Sequence, residues 1–283
     1  MGGGRESRHP LDQGMNRGMH TPGLKPPQWE QVIAAALDRA LRERRAIAPL
    51  TATHPELSVE DAYRISLAFL QRRLGRGDAV VGKKIGVTSR VVQEMLGVYQ
   101  PDFGFLLESM RVADGGALAG DRFIQPRAEA EIAFLLARDL TGPGVGEADV
   151  LEATACVAPC IEIVDSRIAD WRIRIADTIA DNASCGAFVI GAGRADPARD
   201  LAQLEARFFK NGVLISSGMG SAVQGSPLTS VAWLANTLGG RGVALEAGEW
   251  ILSGSLVPLE PAAAGDTFLA ELDGLGTVSA RFE

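Results

Sequence analysis

The chain has 283 residues, 46% hydrophobic and 22% charged, enough apolar content for one large or two small domains with a real core. Its 28 Lys and Arg against 35 Asp and Glu give a formal charge of -7, which argues against nucleic acid or an anionic membrane as the main partner. Three cysteines, an odd number, point to a reducing cytoplasm, and apolar runs such as Ile132 to Ala137 are too short to cross a bilayer.

Histidine is the most restrictive count. There are three, His9, His20 and His54, all ahead of the first chemically suggestive segment and all in loop-like sequence. A Ser-His-Asp or Cys-His site needs an imidazole beside its nucleophile, and a zinc hydrolase usually needs a histidine ligand. Acid-base chemistry here therefore falls to carboxylates, lysine, tyrosine or metal-bound water.

Residues 1–26 are Gly- and Pro-containing without apolar periodicity and read as a disordered extension. Trp29, Val32, Ile33, Ala36, Leu37, Ala40 and Leu41 fall on one helical face, with Asp38 off it. A second helix starts at the N-cap Ser58, turns Val59, Ala62, Tyr63, Leu67 and Leu70 inward, and ends at Gly75. These make a helical portion over residues 27–78, and a β-rich catalytic core is expected over 79–283. Ala79 to Val87 reads as a strand and Ser89 to Leu96 as a short helix, followed by strands at Glu131–Leu136 and Cys160–Val164. Asn211-Gly212 marks a hairpin within Phe208–Ile215, and Ser226-Pro227 opens a helix through Leu238. Trp250–Val257 and two alternating sets joined by Asp273-Gly274-Leu275-Gly276 close the chain. The expected class is α+β, a mixed, mostly β core with a small helical N-terminal portion.

Gly191-Ala192-Gly193 lacks the third glycine of a dinucleotide fingerprint, and Cys156 and Cys160 have no histidine near them. Both read as ordinary structure. Glu129 and Glu131 stand differently: two apart on a strand, they share a face beside core residues, while Glu162 is embedded in Cys160-Ile161-Glu162-Ile163-Val164. Ionised carboxylates in such surroundings need a partner or a cation, and three converging ones make a hard oxygen site for Mg²⁺ or Mn²⁺. The other reading is three separate structural ion pairs. Lys84 shares its strand face with Gly82 and Gly86, which leave space for a ligand, and Lys83 points the opposite way.

Gly82 to Ser89, Leu96 to Gly104, Pro126 to Glu131, Glu162 to Ile168, Asp177 to Gly186 and Ile251 to Leu256 together resemble the 2-oxopent-4-enoate hydratases of the fumarylacetoacetate hydrolase superfamily. The resemblance runs from about residue 28 to the end. It implies a core of the fumarylacetoacetate hydrolase type and a Mg²⁺ or Mn²⁺ ion held by Glu129, Glu131 and Glu162. It also implies a 2-oxo acid chelating that ion, with Lys84 and Asp102 in proton transfer and Ser184, Lys210 and Ser255 lining the pocket. The implied substrate is a small 2-hydroxydienoic acid of aromatic meta-cleavage degradation. The implied assembly is a cytoplasmic homo-oligomer, able to associate with 4-oxalocrotonate decarboxylase. Decarboxylation of 4-oxalocrotonate, or service as that enzyme's non-catalytic partner subunit, are the competing readings.

Overall fold

The change of apolar period from helical to alternating near residue 79 is where the first strand begins. The computed structural model describes residues 28–283, so the extension expected over residues 1–26 lies outside the described residues. The helices are α1 (Gln28–Glu43), α2 (Leu50–Thr53), α3 (Val59–Leu74), α4 (Arg90–Leu96), α5 (Glu147–Ala153), α6 (Ile175–Ala180) and α7 (Pro227–Gly239). The strands are β1 (Val80–Gly86), β2 (Asp102–Leu107), β3 (Arg111–Val112), β4 (Ala117–Leu118), β5 (Arg127–Leu136), β6 (Thr154–Val164) and β7 (Cys185–Ile190). They continue with β8 (Glu205–Lys210), β9 (Val213–Met219), β10 (Trp250–Ser255), β11 (Glu260–Pro261), β12 (Thr267–Leu272) and β13 (Gly276–Phe282).

Two sheets form. The larger runs β2-β1-β10-β5-β6-β7-β3, with β11 added to β5, and the smaller runs β4-β13-β12-β8-β9. Between them lies an aromatic core in which Phe208 stacks on Phe268 and Phe282 packs edge-on against Phe268. The fold is the mixed, mostly β core expected.

Local signals explain the element ends. The Ser58 hydroxyl accepts from Asp61 N at 3.1 Å, and the Asp61 carboxylate accepts from Ser58 N, a capping box that starts α3. Asn211 and Gly212 both take positive φ, 53° and 77°, as a two-residue hairpin turn of this hand requires.

The inner face of α1 is rotated from the expected one. Trp29 and Val32 are exposed, while Glu30 and Asp38 are buried. The reason is ionic: Glu30 takes Arg64 at 2.6 Å, and Asp38 takes Arg76 at 2.5 Å, so α3 and the chain after it draw the acidic edge of α1 inward. Leu67, expected inside α3, is likewise exposed. Strands β2 and β7 and helices α5 and α6 add to the elements that sequence pattern predicts. Strand β2 (Asp-Phe-Gly-Phe-Leu-Leu) is buried along its whole length and so carries no alternation to read.

Lys83 and Lys84 are both buried, on opposite faces of β1. Lys83 is held by Glu249, its Nζ 2.6 Å from Oε1 and 2.5 Å from Oε2, which ties β1 to the turn entering β10. Removing one partner strands the other charge in the core. Lys83→Met is expected to cost about 3–5 kcal/mol in urea unfolding, and adding Glu249→Leu to recover most of it. Equal costs for the single and double variants would contradict this.

Candidate active site and metal centre

The antiparallel pairing of β5 with β6 sets Glu129 directly opposite Glu162, and Glu131 lies two residues on along the same face. Their buried carboxylates each offer an oxygen within 4.8 Å of the others, forming a potential metal-ligand set among the described residues. Gly254 N donates to Glu131 Oε2 at 2.8 Å and aims that carboxylate. Neither Glu162 oxygen has a hydrogen-bond donor among the described residues. Buried, converging and short of donors, these oxygens fit a hard divalent cation.

Strands β1 and β6 are separated by β10 and β5, so a flat sheet would hold them about 14 Å apart. Yet Lys84 Nζ lies 3.4 Å from Glu162 Oε1. The sheet therefore curls around the site, and Lys84 reaches the triad across its concave face. Asp102 enters from β2, whose register places it opposite Gly86. A Cβ on Gly86 would stand 2.2 Å from Asp102 Oδ1 and 3.3 Å from Lys84 Nζ. Gly86 thus makes room for these two side chains. Gly82, expected to leave space for a ligand, instead admits the backbone of β10: its Cβ would meet Trp250 O at 2.0 Å.

Electrostatics follow from burial. Burial by itself would lower the Lys84 pKa, but Glu162, Asp102 and Glu129 outweigh it and hold the ammonium above the ordinary lysine range. Burial raises Asp102, against the pull of Lys84. Glu129 is pushed up to about 8 by burial and then by Glu162, with Lys84 and Ser255 opposing. Glu131 is raised well above the carboxylate range by burial, Glu162 and Glu129.

The candidate pocket residues separate. Ser184 is buried with its hydroxyl unpartnered among the described residues. Ser255 donates to Val257 O at 2.6 Å and lies beside Glu129. The Lys210 ammonium is engaged by Pro261 O at 2.8 Å and Asp266 at 3.2 Å, and it forms no ion pair with the triad.

Sequence reasoning missed several supports. Thr178 donates to Asp102 Oδ2 at 3.3 Å, leaving Oδ1 without a partner among the described residues. Asn182, Ala183 and Ser184 take φ of 54°, 49° and 56°, three successive left-handed residues without a glycine. Asn182 locks this turn to β2, its Oδ1 accepting from Phe105 N at 2.8 Å and its Nδ2 donating to Phe105 O at 3.0 Å. The side chain thereby acts as a short extra strand on the edge of the sheet that carries Asp102. The only sequence sign of this was an asparagine, a residue that tolerates the left-handed region.

Residues 87–283 match the family model of the fumarylacetoacetate (FAA) hydrolase C-terminal region. The chain belongs to the fumarylacetoacetate hydrolase family, in the branch of the 2-hydroxydienoate hydratases. A 2-hydroxyhexa-2,4-dienoate hydratase of Comamonas testosteroni is 61% identical over 90% of this chain and 98% of its own. A 2-hydroxypent-2,4-dienoate hydratase of Pseudomonas putida is 56% identical over 74% of this chain and 95% of its own. Among solved structures of the family, the 4-oxalocrotonate decarboxylase of Pseudomonas putida G7, complexed with magnesium and adipate, superposes with a TM-score of 0.88. It is 36% identical and covers 92% of this chain and 99% of its own.

Proposed function

We propose that this hydro-lyase adds water to 2-hydroxypenta-2,4-dienoate, or a close homologue, to give the 4-hydroxy-2-oxo acid within meta-cleavage degradation of aromatic compounds. The observation that carries the reading is the buried Glu129, Glu131 and Glu162 set, with oxygens within 4.8 Å of one another and Lys84 3.4 Å from Glu162. The hexadienoate and pentadienoate named for the two relatives make five- and six-carbon acids the first substrates to test. Identity of 61% to a hydratase against 36% to the decarboxylase favours hydration over decarboxylation. A non-catalytic scaffold has no use for buried charges, which argues against the partner-subunit reading.

The three glutamates would hold Mg²⁺, with Mn²⁺ the other candidate; the relative solved with magnesium supports the first. An ion held there supplies a Lewis acid for the 2-oxygen of a chelated 2-oxo acid. The chain's own residues handle the protons. An isolated terminal alkene is not electrophilic, so the dienol must give up its 2-hydroxyl proton and take one at C5 to become the 2-oxo-3-enoate, whose C4 accepts water. Lys84, held as an ammonium, is the donor for the carbon protonations at C5 and then C3. Asp102, with Oδ2 fixed by Thr178, has Oδ1 available to take the proton of the attacking water. We assign substrate contact to Ser184, whose hydroxyl has no partner among the described residues, and to Ser255 beside Glu129. A pocket role for Lys210, engaged by Pro261 and Asp266, rests on the family resemblance alone. The 2-hydroxyl proton released on ketonisation restores Lys84 after the C5 step, and the proton of the attacking water, taken by Asp102, restores it after the C3 step. Water's hydroxyl ends on C4, so the sum is one water added.

Three free cysteines support a reducing cytoplasm, and no helix among the described residues is long and apolar enough to cross a membrane. A homo-oligomer is supported by the sheet-edge strand β9, which exposes Val213, Leu214 and Ile215. Association with 4-oxalocrotonate decarboxylase rests on the family resemblance alone. We treat residues 27–78 as a helical portion covering one side of the catalytic core, since α3 packs on α6.

Purified protein supplied with each acid decides the reaction. Loss of dienoate absorbance without CO2 release from 4-oxalocrotonate is expected; CO2 release with an inert dienoate would overturn the reading. Proton linkage provides a second check. Glu129, at about 8 in the ion-free fold against an ordinary 4.5, makes the folded state bind more protons through that window. Ion-free stability should therefore fall as pH rises from 4.5 towards 8, and the ion replaces the protons. Saturating Mg²⁺ is expected to raise Tm more at pH 8.5 than at pH 6. An equal rise at both would contradict the linkage.

A further inference from the structure

Away from the triad, the C-terminal ends of α1 and α3 meet the segment around Ser109 and Arg122 over a cavity of about 360 Å³. A second cavity of about 570 Å³ adjoins it and shares Leu41, Arg73 and Ser109. None of Lys84, Asp102, Glu129, Glu131 or Glu162 lines either one. The surroundings are cationic, although the chain carries a net charge of -7. Arg42, Arg44, Arg73 and Arg122 line the first cavity and Arg76 the second.

The acids nearby neutralise them only in part. A single buried carboxylate, Asp38, serves three guanidiniums: Arg42 at 3.3 Å, Arg72 at 3.7 Å and Arg76 at 2.5 Å. Asp165 spends its oxygens on the backbone N–H groups of Ile124 and Gln125, and Asp121 pairs with Arg44 at 3.7 Å on the exposed rim. Glu108, also at the rim, pairs with Arg111.

Two guanidiniums face the space, Arg73 paired with Asp78 and Arg122 without a carboxylate among the described residues. The Arg73 side chain is only 12% exposed, and it meets both Asp78 and Ser109 Oγ through Nη2. Arg122 donates from Nη2 to the Ser109 carbonyl, packs over the Phe123 ring and has no carboxylate partner among the described residues. Burial lowers the pKa of both, in Arg73 against the opposing pull of Asp78.

We propose that this cavity binds a small multiply charged oxyanion, clamped between Arg73 and Arg122 at a site separate from the catalytic one. Guanidinium forks match carboxylate and phosphate oxygens two at a time, and the volume suits a small molecule. Cys185 lines the cavity while its thiol lies beside Glu162, so the two sites are neighbours through one buried side chain.

The test is calorimetry and thermal shift on the ion-free full chain at constant ionic strength, with malonate and inorganic phosphate as separate probes and chloride as control. One probe anion per chain and a raised Tm are expected. Arg122→Gln should weaken binding roughly tenfold or more, the scale of a lost charge-assisted hydrogen bond. Dienoate turnover and Mg²⁺ affinity should stay unchanged in that variant. Arg122→Lys, which keeps the charge and loses the fork, should fall between and covers the case of a misfolded glutamine variant. A response to malonate alone assigns a carboxylate ligand, and a response to phosphate alone assigns a phosphate ester. Equal binding by wild type and both variants, or binding lost in Glu131→Gln but kept in Arg122→Gln, would overturn the proposal. So would failure of both probes to bind in a chain whose oligomer dissociates on Arg122→Gln, because a second copy would then fill the cavity.

Discussion

Glu131→Gln is expected to lower turnover roughly 1,000-fold, on the order of 4 kcal/mol of transition-state stabilisation, and to do so through the ion. The substitution is close to isosteric, and the amide oxygen still accepts the 2.8 Å bond from Gly254 N. What it removes is one anionic oxygen from a set of three. Titration calorimetry should show weaker Mg²⁺ binding. The ion-free variant should unfold at no lower temperature than the wild type, because Glu131 gives up unfavourable burial and repulsion from Glu162 and Glu129. An ordinary structural glutamate would show the reverse: lost stability with ion binding unchanged.

Lys84→Met separates proton transfer from ion binding. Losing a positioned acid typically costs on the order of 100- to 10,000-fold in rate. Lys84 is the only cation in ion-pair contact with the triad among the described residues. Its removal makes the site more negative, so Mg²⁺ should bind at least as tightly while turnover collapses. Near-normal turnover in Lys84→Met would remove the lysine from the mechanism. Weakened Mg²⁺ binding would mean that the side chain acts by holding the carboxylates in place.

Much of this site was legible because strand chemistry is local. The two-residue spacing of Glu129 and Glu131 and the apolar frame of Glu162 already marked carboxylates that a core tolerates only with a partner. Their convergence was not local: it depends on Glu129 facing Glu162 in the β5–β6 register. The role of Asp102 came through family resemblance, since a fully buried edge strand has no alternation to reveal which way the side chain points. Lys83 and Glu249 pair across 166 residues, a distance no window reads. The left-handed turn Asn182–Ser184 was invisible because its residues are not glycine, and tertiary contacts to Phe105 hold it. On α1, apolar periodicity gave the helix but not its rotation, which the buried ion pairs of Glu30 and Asp38 set.

The most direct test strips the full-length protein of metal with a chelator, then follows dienoate absorbance while Mg²⁺ is returned and its binding is measured in parallel. The account predicts no turnover without metal and activity that rises with occupancy, saturating at one ion per chain. Undiminished hydration by the ion-free protein, or full activity restored to Glu131→Gln without ion binding, would contradict it.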